Sequence, residues 1–280
     1  MAIAVLCSSG VFSRTPGRTD LDAVAEFGPR LDAAGLELLL YPDWRQDAEG
    51  AVARLTATGL RFPAVHAEKA IGGAFSSDEA AQREAALRVF EQNCWLAQRI
   101  GAAQLVLHLW ELPDSDRRIE RNLGALPRCL DLAEQHGLQL TIETVPSAVA
   151  DPLSIVQRAI AHDGRCGVTL DTEFLAHHGQ LEAALAAPWL WRDGRVRHLQ
   201  IKDYDGALRD AAGRRRYLQP GEGRIDFIYL FEVLREWEFS GTVSLEAAAV
   251  DGDGRVDLAR IDRSLKLLRW LAVGGYDEEI

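Results

Sequence analysis

Short apolar runs alternate along this chain with longer stretches in which apolar residues return about every 3.6 positions. The short runs lie at 3–8, 36–41, 62–66, 104–109, 138–143, 167–171, 196–201 and 242–246, and each reads as a buried strand. Helical patterns fall between them, near 20–34, 46–58, 77–100, 116–136, 151–162, 179–188, 225–238 and 256–272. The segment 77–100 is the clearest: Ala81, Ala85, Leu87, Val89, Phe90, Cys94, Leu96 and Ala97 follow a helical repeat with charges interleaved. Ser77-Asp78-Glu79 and Asp151-Pro152 resemble helix starts. Gly35, Gly59, Gly101, Gly137, Gly167 and Gly241 fall just before strands, where a helix has to stop and the chain reverse.

Eight strand–helix units in 280 residues predict an α/β fold of the (β/α)8 TIM barrel type. A doubly wound sheet would usually carry a Gly-rich turn after its first strand, and Cys7-Ser-Ser-Gly10 is a poor version of that turn. No Pro/Gly/Ser-rich linker divides the chain, so residues 1–280 are expected to form one domain. Two βα connections are long, 67–76 after the third strand and 203–224 after the seventh. Loops of that length in a compact barrel are often lids or substrate contacts.

Four of the apolar runs end in a side chain with oxygen to offer: Glu143, Asp171, Gln200 and Glu246. In a barrel of this type catalytic groups sit at the C-terminal ends of the strands. Oxygens converging there suit a divalent cation such as Mn²⁺, Mg²⁺, Co²⁺ or Zn²⁺. Three carboxylates leave a negative shell that favours a cation. An open coordination position then takes two oxygens of a hydroxy-ketone or hydroxy-aldehyde, polarises the carbonyl and stabilises an enediolate. Glu143 and Glu246, on opposite sides of the ion, suit a two-base proton transfer between adjacent carbons. Taken singly, each acid is as well explained by a helix cap or an arginine partner; taken together, the four are not.

His66 and His108 end the third and fourth strands and reach the same cup, to orient a substrate oxygen or hydrogen-bond Glu143; a satisfied core histidine is the competing reading for each. His198 lies two residues before Gln200, on the same strand face and one layer deeper. Lys202-Asp203 follows the seventh strand, either bracing the site or its loop or forming an ordinary salt bridge. Glu222, between Gly221 and Gly223, sits in a turn whose glycines permit close approach to a ligand, although a structural turn is the commoner outcome. Trp110 walls the pocket or belongs to the core, and His177-His178 is given no role.

Composition narrows the partners. At 48% hydrophobic and 26% charged, the chain is an ordinary globular sequence able to bury its own core. A net charge of −11 disfavours nucleic acid, and the one dense basic run, Arg214-Arg-Arg216, reads as a solvated loop. Cys7, Cys94, Cys129 and Cys166 form no Cys-x-x-Cys pair and have apolar neighbours, so buried free thiols are expected. No leader-like N-terminus and no membrane span is read, which makes a cytoplasmic enzyme the expectation. The tail Tyr276-Asp-Glu-Glu-Ile280 reads as a frayed, solvated end.

With these residues in place, the chain resembles the xylose isomerase-like sugar phosphate isomerase/epimerase superfamily, from the third strand to the last helix. Ile142-Glu143 looks like that family's first metal glutamate, Leu170-Asp171-Thr172 like its Leu-Asp-Thr/Pro strand, and Gly241-Thr-Val-Ser-Leu-Glu246 like its final metal glutamate. His198-Leu-Gln-Ile-Lys-Asp203 resembles the family's His-x-His-x-Lys-Asp run, and Pro220-Gly-Glu-Gly-Arg-Ile-Asp-Phe227 its Gly-Glu-Gly-x-Ile-Asp-Phe turn. Gln200 stands where the usual metal histidine falls, as in members similar to hydroxypyruvate isomerase. Phe174 replaces a histidine often found three residues after the strand-six aspartate, and Gly206 falls near an arginine that sugar epimerases often carry. The further histidines of the related endonuclease IV-type zinc cluster are missing.

The resemblance and the residues together predict a divalent-metal-dependent isomerase or epimerase of a small sugar, sugar phosphate or hydroxy-keto compound. Glu143 and Glu246 are the expected metal ligands and acid/base pair, and Asp171 and Gln200 the rest of the metal shell. His66, His108, Lys202 and Glu222 are expected to meet the substrate. An inosose-type dehydratase using the same enolate chemistry is the alternative, followed by a non-catalytic sugar-binding barrel. The expected partner is a small molecule, with no nucleic acid and no membrane; self-association into a homo-oligomer is compatible with the sequence.

Overall fold

The computed structural model describes residues 3–13, 19–111 and 115–275, so the acidic tail at 276–280 lies outside the described residues. Eight parallel strands close into a barrel in sequence order, β1 (Ala4–Ser8), β2 (Leu36–Leu39), β3 (Ala64–His66), β4 (Gln104–Leu107), β5 (Gln139–Glu143), β6 (Gly167–Asp171), β7 (Val196–Ile201) and β8 (Thr242–Leu245), with β8 pairing back onto β1. The helices are α1 (Asp20–Phe27), α2 (Ala48–Ala57), α3 (Ala70–Phe75), α4 (Ala80–Arg99), α5 (Ile119–Gln135), α6 (Pro152–His162), α7 (Thr172–His177), α8 (Leu181–Leu185), α9 (Pro188–Trp191), α10 (Phe227–Glu236) and α11 (Leu258–Ala272). This is the expected (β/α)8 architecture.

Local chemistry sets the boundaries. Thr19 and Asp22 form a capping box at the start of α1, and Asp47, Asp151, Asp226 and Asp257 accept a backbone N–H at the starts of α2, α6, α10 and α11. Each such cap is worth about 1 kcal/mol. Gly101 and Gly137 end α4 and α5 at positive φ, where a Cβ would be strained. Gly241 acts differently: a Cβ there would lie 2.2 Å from the Arg197 carbonyl oxygen, so its role is close packing rather than chain reversal.

Strand alternation separates two interiors. One set of side chains, including Val5, Leu38, Val65, Leu105, Ile142, Leu170, Leu199 and Val243, packs with the helices into the main apolar core. The other set fills the barrel and is strongly polar from β5 onward: Thr141, Glu143, Thr169, Asp171, His198, Gln200 and Ser244 are all fully buried. Thr141 and Thr169 hydrogen-bond each other at 2.8 Å, and His198 Nδ1 lies 2.6 Å from Thr242 Oγ1, below Gln200 as the alternation predicted.

Three short helices differ from expectation. The 67–76 connection is not an open loop: it folds into α3, packed so closely that a Cβ on Gly72 would meet the His108 carbonyl oxygen at 2.4 Å. Asn122 locks the contact by donating to the carbonyls of Gly72 and Leu109, both at 2.7 Å. Helix α7 starts directly at the end of β6 because the Asp171 side chain accepts from the Phe174 N–H. Helix α9 begins at Pro188, which suits a first helical position. The four cysteines are buried free thiols, and no helix among the described residues is long and apolar enough to cross a membrane.

Candidate active site at the barrel mouth

Glu143, Asp171 and Glu246 meet at the C-terminal end of the barrel. They offer one carboxylate oxygen each, all within 4.8 Å of one another. Glu143 also joins a second triad with His66 and His108, on the same spacing. All five side chains are buried, Glu246 the least so at 6% exposure.

The β3–β5 side is built of imidazoles. His66 Nε2 and His108 Nε2 each lie 2.9 Å from Glu143 Oε2, and the rings stand edge-to-face at 4.8 Å. His66 Nδ1 donates to the Ala67 carbonyl at 2.7 Å, which fixes the ring's orientation. His108 Nδ1 faces Glu111 at 3.3 Å. Burial pulls the His108 imidazole down, but the Glu143 and Glu111 carboxylates outweigh it and leave it at about 9. Burial pushes Glu143 up, and the same two histidines overcome it and hold the carboxyl well below its usual range. Both hydrogen bonds use Oε2, so Glu143 Oε1 is buried without a partner.

The β6–β8 side is held by an ammonium. Lys202 Nζ lies 2.5 Å from Asp171 Oδ2 and 2.5 Å from Glu246 Oε2. The contact to Asp171 is a close ion pair without hydrogen-bond alignment, which leaves that oxygen otherwise unpartnered. Lys69, from the loop before α3, adds a second cation 3.6 Å from Glu246. Burial would lower Lys202, yet Asp171 and Glu246 raise it well above the ordinary lysine range. Burial, with repulsion from Glu143 and Glu246, raises Asp171 to about 7 in spite of Lys202. The expected uncompensated negative shell is therefore corrected: Lys202, Lys69 and protonated His108 stand against three carboxylates.

Next to this ring, the deeper layer expected from His198 holds one residue that sequence reasoning missed. Glu37, on β2, is fully buried and accepts from Gln200 Nε2 at 2.8 Å, with His198 Nε2 3.4 Å from the same oxygen. Burial raises Glu37, but His198 overcomes it and the carboxyl falls to about 2. Because Gln200 commits its nitrogen to Glu37, its Oε1 is left buried and unpartnered. Gln200 pairs in register with Asp171 on β6.

The loop after β7 is tied down by Asp203. Its Oδ2 accepts from the N–H groups of Gly221 (2.9 Å) and Gly223 (2.7 Å), and its Oδ1 from Tyr204 (2.7 Å) and Ile225 (3.1 Å). The same turn directs Glu222 away from the carboxylates, to Arg260 of α11 and the Gln219 N–H. The basic run is only partly solvated: Arg214 is exposed, whereas Arg215 pairs with buried Glu173 and Arg216 with Asp205. Trp110 is a core residue that donates to the Pro146 carbonyl. His177 ends α7 and lies 3.1 Å from the Tyr204 hydroxyl.

The donor set fits a divalent ion. Oxygens within 4.8 Å of one another need only slight closing to share a cation at bonds of about 2.0–2.3 Å. Glu143 Oε1 and Gln200 Oε1, buried and unpartnered, are the kind of atoms such an ion satisfies.

Comparison with known proteins agrees with the fold. The profile of the family described as xylose isomerase-like TIM barrel matches residues 21–272. The chain belongs to that family. Membership makes it an enzyme of the isomerase and epimerase kind. Among solved structures it is similar to an L-ribulose 3-epimerase (TM-score 0.72, 18% identity, covering 99% of this chain and 97% of the other). It is also similar to a 3-keto-D-glucoside 4-epimerase from E. coli (0.68, 17%, 97% and 99%) and to the D-psicose 3-epimerase of Clostridium cellulolyticum H10 (0.66, 15%, 98% and 98%). At these identities the likeness is one of fold. No curated protein matches the sequence.

Proposed function

We propose that this protein is a divalent-metal-dependent isomerase or epimerase of a small sugar, sugar phosphate or hydroxy-keto compound, working through an enediolate. The observation that carries the reading is the meeting of Glu143, Asp171 and Glu246 around one point, with Gln200 Oε1 unpartnered alongside. Those four residues would hold the ion, which when bound supplies electrophilic pull on a substrate carbonyl.

The chain's own residues then account for the proton. Glu143 and Glu246 come from strands three apart around the eight-stranded ring, so they approach a substrate from different sides. One carboxylate removes the proton from the carbon beside the carbonyl and the other returns a proton to the opposite face or the neighbouring carbon. His66 and His108 hold Glu143 by Oε2 and leave Oε1 uncommitted. Lys202 and Lys69, both beside Glu246, would stabilise an oxyanion developing near that carboxylate. The names of the structural relatives, sugar 3- and 4-epimerases, support a carbohydrate substrate.

The test is solvent-deuterium exchange. Wild-type protein loaded with Mn²⁺ is expected to wash deuterium into a panel of ketoses at the carbon next to the carbonyl. Glu143→Gln is expected to slow that exchange at least 100-fold, a loss in line with removing a general base. Exchange at the wild-type rate in the variant would take Glu143 out of the base role.

A further inference from the structure

Lys202 stands where the proposed metal would draw its ligands. Its Nζ is 2.5 Å from Asp171 Oδ2 and 2.5 Å from Glu246 Oε2, which belong to two of the three carboxylates that face one another. The side chain is 4% exposed, and the backbone on either side of it is pinned: the Lys202 N–H donates to Thr172 Oγ1 (3.0 Å), and that hydroxyl donates to the Lys202 carbonyl (2.6 Å). A second, independent feature holds the ammonium in place. Phe174, three residues after Asp171, presents its ring 4.6 Å from Lys202 Nζ, and a ring face attracts a cation, more strongly when water is excluded.

We infer that Lys202 is a resident cation of the carboxylate ring, which a metal ion has to displace in order to bind. The inference rests on the metal reading proposed above and deepens it. Without metal, the ammonium satisfies Asp171 and Glu246 and keeps the carboxylates together. With metal, the flexible four-carbon stem lets the head swing off the two carboxylates, as a fixed imidazole ligand could not do. An ammonium and a divalent ion drawn to the same two carboxylates repel each other, so occupancy by one weakens the other. Phe174 sets the balance, because its ring favours the ammonium and offers no ligand atom to a divalent ion. The chain thus holds its site preassembled and binds metal reversibly, more weakly than the four oxygen donors alone would.

The experiment is calorimetric titration of Mn²⁺ into metal-stripped protein, with thermal unfolding of the same samples. Lys202→Met keeps the stem and removes the charge. It is expected to bind Mn²⁺ at least tenfold more tightly than wild type, and to unfold at a lower temperature than wild type until Mn²⁺ is added. Phe174→Leu leaves all three carboxylates and the lysine in place, so it serves if Lys202→Met fails to fold; it is expected to tighten Mn²⁺ binding a few-fold. Equal or weaker Mn²⁺ binding in the folded variants overturns the inference. If neither wild type nor any variant binds Mn²⁺, Co²⁺, Mg²⁺ or Zn²⁺, displacement and the metal reading both fall. If wild type binds and the variants bind no better, the metal reading stands and only the role of Lys202 is lost.

Discussion

On the β3–β5 side of the barrel mouth, Glu143 faces two imidazole rings; on the β6–β8 side, Asp171 and Glu246 face one ammonium. The rings sit at strand ends, each bringing one Nε2 to within 2.9 Å of the same oxygen, and they leave Glu143 Oε1 without a partner. The ammonium sits on a long stem, has three donors and no lone pair, and covers oxygens of both its acids. One side is therefore shaped, with an oxygen left uncommitted, while the other is filled by a cation on a flexible stem. A site meant only for packing would have little use for that asymmetry, since a buried ion pair is poor evidence of stability by itself. The asymmetry suits a cup in which one carboxylate keeps a fixed attitude while the others exchange partners.

The largest effect should come from breaking the lysine side. Asp171→Ala removes one of the two acids on Lys202 and the cap of α7 together. Because Glu246 still pairs with the ammonium, the metal-free protein above about pH 8, where Asp171 is ionised, is expected to lose about 3 kcal/mol, the low end for a broken buried pair, with about 1 kcal/mol more for the cap. Asp171→Asn keeps an oxygen for the Phe174 N–H, so it should lose only the first part. Urea titrations of both variants check this. Were Asp171→Asn as stable as wild type, the ammonium would not be holding that side together.

The imidazole side should reveal itself through pH. His108 in the folded protein is raised to about 9 from an ordinary value near 6.5, so its contribution is complete below about 6.5 and is lost as pH climbs through 9. His108→Gln should cost about 1.5–3 kcal/mol at pH 6, the range for a hydrogen bond to a charged group. The two proteins should converge in stability near pH 10. Measuring urea midpoints of both across pH 6–10 isolates the histidine, because other titrating groups are common to the pair. A constant difference would mean that His108 acts by packing rather than by charge.

The barrel and much of the mouth were legible in the sequence because both rest on local pattern. Strands β6 and β7 have the bounds that the apolar runs predict, and Glu143, Asp171 and Glu246 converge as expected of acids at the ends of β5, β6 and β8. Glu37 was not legible: it interrupts an apolar run on β2 rather than ending it, and a single acid there has no local partner to betray it. Its partners, His198 and Gln200, come from across the barrel. Lys202 was half legible. The alternation that puts His198 and Gln200 on one face extends to Lys202, so its inward direction could have been read. That its head folds onto two carboxylates depends on the closing of the ring. Helix α3 escaped notice because Gly72-Gly73 reads as a loop, and only the close packing against the His108 carbonyl explains the glycine at 72.

Glu222 supplies the smallest effect and the sharpest control. Sequence pattern puts it among the substrate contacts, but the structure turns it to Arg260, in a pair partly open to solvent. An exposed pair of this kind contributes only about 0–1 kcal/mol, and Glu222→Ala should lower stability within that range. The long loop should remain in place, because its glycine N–H groups are held by Asp203 rather than by Glu222. Deuterium exchange into ketoses should then stay within twofold of wild type, in contrast to Glu143→Gln. A larger loss in Glu222→Ala would extend the working site beyond the two sides of the mouth and bring the 203–224 loop into the chemistry. Retained exchange would leave Asp203 as that loop's anchor and confine the reactive groups to the strand ends.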